Sequence, residues 1–178
     1  MFEVAFNEFT VWCHPEGLPN SYSEYQKRSA LSEEFDLESR DDGKLFFIGV
    51  RAEGDWPFLT VAQKYSPAWA GFYPGVLVVP ETSLLFIGAG ERLLAYKLWE
   101  PKRLWEDFAQ TGFWNWRRHG DVVLMAAELE FAAWSVEGVK LWSTYVEPPW
   151  TYEVHGEFVA LDVMGKKTEF SVQHGPRV

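Results

Sequence analysis

Glu128 and Glu130 stand two residues apart, so on a strand they share one face. With Glu147 and Asp162 further along, they are the residue types that glycoside hydrolysis uses when two carboxyl groups lie about 5–9.5 Å apart across a cleft. The solvated face of an ordinary strand carries such pairs as well, and that reading is preferred. His119 and His155 have the chemistry to bind a metal or move a proton, and each precedes a glycine and an acidic residue. A metal site needs three or four convergent ligands, and no such set accompanies them. Cys13-His14 is a reactive pair, but adjacent strand residues point to opposite faces, so a nucleophile–base dyad is not expected. The sequence has no phosphate loop, no Gly-x-Ser-x-Gly elbow, no His-Glu-x-x-His and no Cys-x-x-Cys. No catalytic residue, metal or cofactor is expected.

Aromatic side chains offer binding rather than catalysis. Trp56 lies in "EGDWPF", and Trp69, Phe72 and Tyr73 lie in "YSPAWAGFYPG". Loop aromatics next to proline form surfaces for a protein or a sugar. Trp114 and Trp116 share one strand face, and Trp150 with Tyr152 repeats the arrangement. The candidate binding set is therefore Trp56, Trp69, Phe72, Tyr73, Trp114, Trp116 and Trp150. For the repeated pairs, packing between sheets is the preferred role.

These residues need a scaffold, and the composition sets its class. The 178 residues suit one domain, 1–178, and 47% hydrophobic content supplies a packed core. The net charge of −10 repels phosphate backbones and anionic lipid, so neither nucleic acid nor a membrane is an expected partner. A protein partner is compatible with it. Cys13 is the single cysteine, so no disulfide forms within the chain. The N-terminal "MFEVAFNEF" lacks the basic and apolar blocks of a secretory signal, and no apolar run reaches the length of a membrane span. The expected location is the cytoplasm.

Short apolar or alternating runs, separated by Gly, Pro or charged residues, predict an all-β antiparallel meander. The strands are expected at 2–12, 33–38, 44–52, 57–65, 75–79, 83–88, 92–98, 103–107, 112–118, 121–126, 128–136, 139–145, 149–155, 157–163 and 166–173. The polar stretch 13–32 is read as a long loop with a helical turn near Tyr22–Ala30. Phe35 and Leu37 alternate with charges, which predicts an edge strand.

The chain also repeats itself. "WNWRRHGDVV" at 114–123 matches "WTYEVHGEFV" at 150–159, an offset of 36. "LLFIGAGERLLAYKL" at 84–98 matches "VVLMAAELEFAAWSV" at 122–136, an offset of 38. Such a period corresponds to a four-stranded unit with tight turns, stacked on its neighbours. "AAWSVEGVKLWS" at 132–143 and "VALDVMGKK" at 159–167 resemble the blade motif of quinoprotein-type (PQQ-like) β-propellers, over roughly residues 84–173. There an apolar strand with Ala-x-Asp turns at Gly and runs on to a Trp. The motif Asp is present as Asp162 but is Lys97 and Ser135 in the other copies; the terminal Trp is Trp105 and Trp142, with Phe170 in the last copy. The resemblance implies propeller-like blades, and no quinone- or calcium-binding set accompanies it. The blades close into a small ring if 157–173 pairs with 2–12. Otherwise they form an open fan capped by the N-terminal third, or the meander folds as a barrel or sandwich.

The expected function is a non-enzymatic binding protein that uses a blade rim or the aromatic loops, an immunity-type inhibitor being its narrower form. The alternatives are a carbohydrate-active enzyme and a small-molecule or metal binder.

Overall fold

Alternating β-branched and aromatic residues favour the pleated surface of a sheet, and a residue that tolerates positive φ turns the chain back on itself. Hairpins of this kind build nearly the whole chain. The computed structural model describes residues 2–39, 42–52, 54, 56–66 and 72–177. Sheet A contains β1 (Phe2–Phe6), β2 (Phe9–His14), β3 (Leu31–Phe35), β4 (Lys44–Arg51) and β5 (Leu59–Tyr65), in the order β1-β2-β4-β5-β3. Helix α1 (Tyr22–Arg28) lies between β2 and β3 in the chain. Sheet B is β6 (Gly75–Val79), β7 (Leu84–Ala89), β8 (Arg92–Lys97) and β9 (Lys102–Phe108). Sheet C is β10 (Phe113–His119), β11 (Val122–Ala127), β12 (Glu130–Ser135) and β13 (Lys140–Tyr145). Sheet D is β14 (Trp150–His155), β15 (Phe158–Val163) and β16 (Lys166–Ser171).

Sheets B, C and D are antiparallel meanders, as the sequence predicts. Sheet A departs from the expectation in three places. The run 2–12 is a hairpin rather than one strand, because Asn7 adopts φ 46 and brings Phe6 opposite Phe9. The stretch 13–32 is shorter as a loop than expected, since β2 continues to His14 and α1 forms about two turns. β3 is an edge strand as predicted, but it runs parallel to β5. The crossover through α1 lets β3 enter in that direction. The turn expected at Asp41-Asp42-Gly43 lies partly outside the described residues.

Each sheet buries both faces only by stacking on a neighbour. Val11, Ile48 and Val61 of sheet A meet Leu85, Ile87 and Leu94 of sheet B. Phe86 and Leu93 of B meet Val123, Met125 and Trp134 of C. Leu124 and Phe131 of C meet Trp150, Val159 and Leu161 of D. Each fully buried side chain of this size contributes about 1.5–3 kcal/mol. No hydrophobic cluster of the described residues joins D back to A. Of the arrangements left open by the sequence, the open fan is the one found: β1 pairs with β2, β16 pairs with β15, and 157–173 does not pair with 2–12.

The repeat places tryptophans where one sheet docks on the next. Trp105 on β9 stacks on Trp134 at 5.4 Å, and its indole N–H donates to the Gly138 carbonyl at 2.6 Å. Trp142 on β13 packs on Phe170, and its indole N–H donates to the Val172 carbonyl at 2.8 Å. Gly138 and Gly175 sit against these indoles, and at Gly175 a Cβ would overlap the Trp142 ring. The outward face of sheet A is closed by α1, whose Tyr22 and Tyr25 cover Trp12 and Phe47. The outward face of sheet D carries Thr151, Glu153, Asp162 and Lys167 around a shallow depression.

Candidate interaction surface

The strand directions bring one set of turns to one end of the arc. They are Asn7-Glu8, 80–83, 98–101, Gly120-Asp121, 136–139, Gly156-Glu157 and the segment 172–174. Hydrogen bonds tie them across the sheets. Asn7 Nδ2 donates to the Pro80 carbonyl at 3.2 Å, linking A to B. Thr82 Oγ1 donates to the Val136 carbonyl at 2.7 Å, and Arg118 forms a two-pronged pair with Glu81, linking B to C. The Arg118 guanidinium holds the Glu81 carboxyl below the usual carboxylate range. His119 Nε2 and the Gly156 carbonyl are 2.7 Å apart, so Nε2 carries the donated proton and links C to D.

This rim carries both charge and exposed apolar surface. Glu8, Glu100, Asp121, Glu137 and Glu157 are exposed, one to a turn. Among the described residues their carboxylates have no hydrogen-bond or ion-pair partner. Lys97 and Lys102 flank Glu100 and are exposed too. Trp99, in the 98–101 turn, is 64% exposed and rests edge-on against Phe9 at 5.4 Å. Trp56 stands at the same end, 44% exposed, with the Arg28 guanidinium 3.8 Å over its ring. The rim is thus a row of free carboxylates interrupted by indole surface. Such a row has the complement of a basic protein surface with apolar recesses.

The aromatic set named from the sequence is not brought together. Trp56 is on the rim. Tyr73, 76% exposed, precedes β6 at the opposite end of the sheets. Phe72 is buried over Gly112, where a Cβ would overlap its ring, and stacks on Trp114. Trp114 stacks in turn on Trp150 at 5.2 Å, with an interplanar angle of 14°. Trp116 packs among Phe86, Phe113 and Trp134. These rings are spent between sheets. Trp69 lies outside the described residues. The sequence reading missed Trp99, although the repeat holds a signal for it: at the 38-residue offset its counterpart is Glu137, so an indole occupies a polar turn position.

Two of the carboxylates considered for catalysis, Glu130 and Asp162, hold backbone groups in place. Glu130 is buried, and its carboxylate accepts from the Gln110 backbone N–H at 3.0 Å and from Ser143 Oγ at 2.6 Å. It thereby pins the loop between sheets B and C. Asp162 is on sheet D, where its carboxylate accepts from the Gly165 N–H at 2.8 Å. His155 pairs with Glu153 at 3.1 Å, so the two repeat-related histidines engage different partners. Among the described residues no three His, Cys, Asp or Glu side chains converge as a metal set. Cys13 is buried, and burial pushes its thiol up to about 12. At the opposite end, a cleft of about 460 Å³ lies between sheets A and B. Its Arg92 is engaged by Asp36 at 2.6 Å and Glu106 at 2.8 Å.

No family model and no curated protein matches the sequence. The chain resembles β-propellers at the level of fold. A structure of BamB from Moraxella catarrhalis superposes with a TM-score of 0.48 at 14% identity, covering 83% of this chain and 49% of that one. Kluyveromyces lactis Hsv2 superposes with a TM-score of 0.32 at 12% identity, covering 55% of this chain and 32% of that one. The chain thus matches about half, or less, of the length of these solved structures.

Proposed function

We propose that the protein is a non-catalytic docking module whose turn-lined rim binds a basic protein partner in the cytoplasm. One observation carries the reading: Glu8, Glu100, Asp121, Glu137 and Glu157 have no hydrogen-bond or ion-pair partner among the described residues, stand on turns tied together across four sheets, and share that end of the sheets with the exposed Trp99. Free carboxylates on a rigid base steer a cationic partner at little entropic cost, and a central indole supplies the desolvated anchor. The net charge of −10 adds long-range attraction to such a partner.

The test is affinity capture from the native cell followed by binding measurements on the captured protein. The expected partner is basic, and its affinity falls as salt is raised. Trp99→Ala is expected to weaken binding by about tenfold or more. The double variant Glu100→Lys, Glu137→Lys is expected to slow association while leaving the fold intact. Rim variants that bind as tightly as the wild type overturn the reading, and so does binding that is indifferent to salt.

A further inference from the structure

Two different covers lie over the faces of sheet A. Sheet B lies over one, and their seam buries Phe46, Ile48, Val61, Leu85, Ile87 and Tyr96 among others. Helix α1 lies over the other, where Trp12, Phe47 and Ala62 are the buried residues, with Leu18, Tyr22, Tyr25 and Leu37 partly buried above them. The helix adds little stability of its own. It has seven residues, whereas helices shorter than about 12–15 residues are marginal in water without tertiary support. None of its residues is buried, and Ser21 at the N-cap makes no side-chain capping bond. The Glu24–Lys27 pair is exposed, where ion pairs contribute little.

One carboxylate clasps the helix to the sheet. Tyr22 Oη and Gln26 Nε2 both donate to Oε1 of Glu34, at 2.5 and 2.6 Å. The two donors are four residues apart, so they are neighbours on one helix face. Glu34 stands on the outward side of β3, while Glu33 and Phe35 face sheet B. That inward side is fastened separately. Tyr96 Oη donates to Glu33 at 2.6 Å, and Arg92 pairs with Asp36 just beyond β3 at 2.6 Å. The post that carries the clasp is therefore fixed to the sheets whether or not the helix is docked. The chain is also anchored on either side of α1. The Gly17 N–H donates to the Leu45 carbonyl at 3.0 Å, and the Leu31 N–H to the Phe58 carbonyl at 3.1 Å. Gly17 has φ 129 with open space around it, and the chain leaves the helix at Ser29 in extended conformation, φ −69 and ψ 140. Ser29 Oγ also meets the Pro57 carbonyl at 3.2 Å, and Arg28 lies over Trp56, which hold the C-terminal end of α1 near its anchor.

We infer that residues 18–28 form a lid that opens as a unit while the sheets stay folded, with Glu34 as its latch. Opening breaks the two bonds to Glu34 and uncovers Trp12, Phe47 and Ala62. The seam between A and B stays closed, because it buries more apolar surface and draws its residues from both sheets. Local opening of this kind is confined to units with few buried apolar contacts. The strip under the lid is an apolar sheet face of the kind by which A, B, C and D stack on one another. The lid thus sets how much of the time this end of the arc presents such a face to water. Glu34 sets the position of that equilibrium, because it is the shared acceptor of both latch bonds.

Thiol labelling of an Ala62→Cys variant tests the lid. The new thiol lies beneath α1, while the native Cys13 is buried on the opposite face of sheet A and serves as a control within the same molecule. The thiol at 62 is expected to label at least about 100-fold faster than Cys13, since local opening outpaces global unfolding. Adding Glu34→Ala is expected to raise the rate at 62 by about tenfold or more and to leave Cys13 within about threefold. Adding Glu24→Gln, which breaks only the exposed pair, is expected to change the rate at 62 by less than about threefold. Hydrogen exchange on the unsubstituted chain repeats the comparison without a new thiol. The Tyr25 and Ser29 amides are expected to exchange at least about 100-fold faster than those of β4 and β5. Labelling at 62 no faster than at Cys13 overturns the inference, as does equal protection of α1 and β4. A rate at 62 that Glu34→Ala leaves unchanged overturns the assignment of the latch.

Discussion

Sheet A and sheet D each expose one face that no other sheet covers, and the two faces are built in opposite ways. On sheet A the outward residues are Trp12, Phe47 and Ala62, and α1 lies over them with Leu18, Tyr22 and Tyr25. The helix is tethered by Tyr22 and Gln26, whose side chains donate to one Glu34 carboxylate at 2.5 and 2.6 Å. On sheet D the outward face is mostly polar, with Thr151, Glu153, Asp162 and Lys167 beside Ala160 and the half-exposed Phe158, and nothing of the described chain covers it. A stack of sheets can end either by adding a lid over apolar residues or by making the last face polar, and this protein does both. The lid requires extra chain, and sheet A accordingly holds the one helix among the described residues and the one parallel strand pair.

The comparison can be broken most directly by truncating each face. Phe47→Ala empties a buried site beneath α1 and is expected to cost about 3–5 kcal/mol in chemical denaturation. Thr151→Ala on the polar face is expected to change stability by less than about 0.5 kcal/mol. Equal losses at the two sites would show that the ends are not built differently.

Glycine substitutions sharpen the contrast. Gly49 lies under the Trp12 indole, and a Cβ there would overlap the ring. Gly49→Ala is expected to cost about 1–3 kcal/mol through overpacking. Gly156, in the β14–β15 turn, has φ 60 and open space around it. Gly156→Ala is expected to cost about 1–2 kcal/mol through backbone strain alone. Asn at the two positions separates the causes. Gly156→Asn should recover most of the loss, since Asn tolerates this φ, while Gly49→Asn should be worse than Gly49→Ala.

A titration adds a third probe, since Cys13 lies in sheet A and the chain has no other cysteine. Burial raises its thiol from 9.0 to about 12, so the folded state keeps the proton after the unfolded chain has lost it. The stabilising contribution is complete below pH 9.0 and falls away as pH rises toward about 12, by about 1.4 kcal/mol per pH unit. Denaturation between pH 9 and 10 is expected to show that dependence in the wild type and a shallower one in Cys13→Ala, before the raised tyrosines Tyr22, Tyr65, Tyr96 and Tyr152 add the same trend above pH 10. The smallest effect is at the docking of D on C. Trp142→Phe removes the indole N–H that meets Val172 and is expected to cost about 1 kcal/mol, with Trp105→Phe giving a similar loss at the B–C junction. A much larger loss at one of them would show that the two junctions are not equivalent.

The strands from 75 onward were legible in the sequence to within a residue or two, because each turn there is short and announced by its chemistry. Met164 and Gly165 take φ 53 and 84 between β15 and β16, and Gly120 takes φ 55 between β10 and β11. Sheet A was harder to read. Asn7 reverses the chain inside an apolar run, and nothing local to β3 reports that it will run parallel to β5. The candidate surface was less legible still. Trp114, Trp150 and Trp99 are the same residue type in similar local patterns. The first two are covered because β10 and β14 sit in adjacent sheets, and the third stays largely exposed with only the edge-on contact to Phe9.

By itself the sequence determined the small antiparallel sheets, their repeat of about three dozen residues and the tryptophans at the docking positions. Alternation and turn conformation are properties of neighbouring residues, so they can be read along the chain. Only the tertiary structure decided that the sheets form an open arc, that α1 closes one end, and that the free carboxylates of separate turns stand in one row. Those outcomes depend on which faces meet across long stretches of chain, and burial is set by the neighbour that arrives rather than by the residue that waits for it.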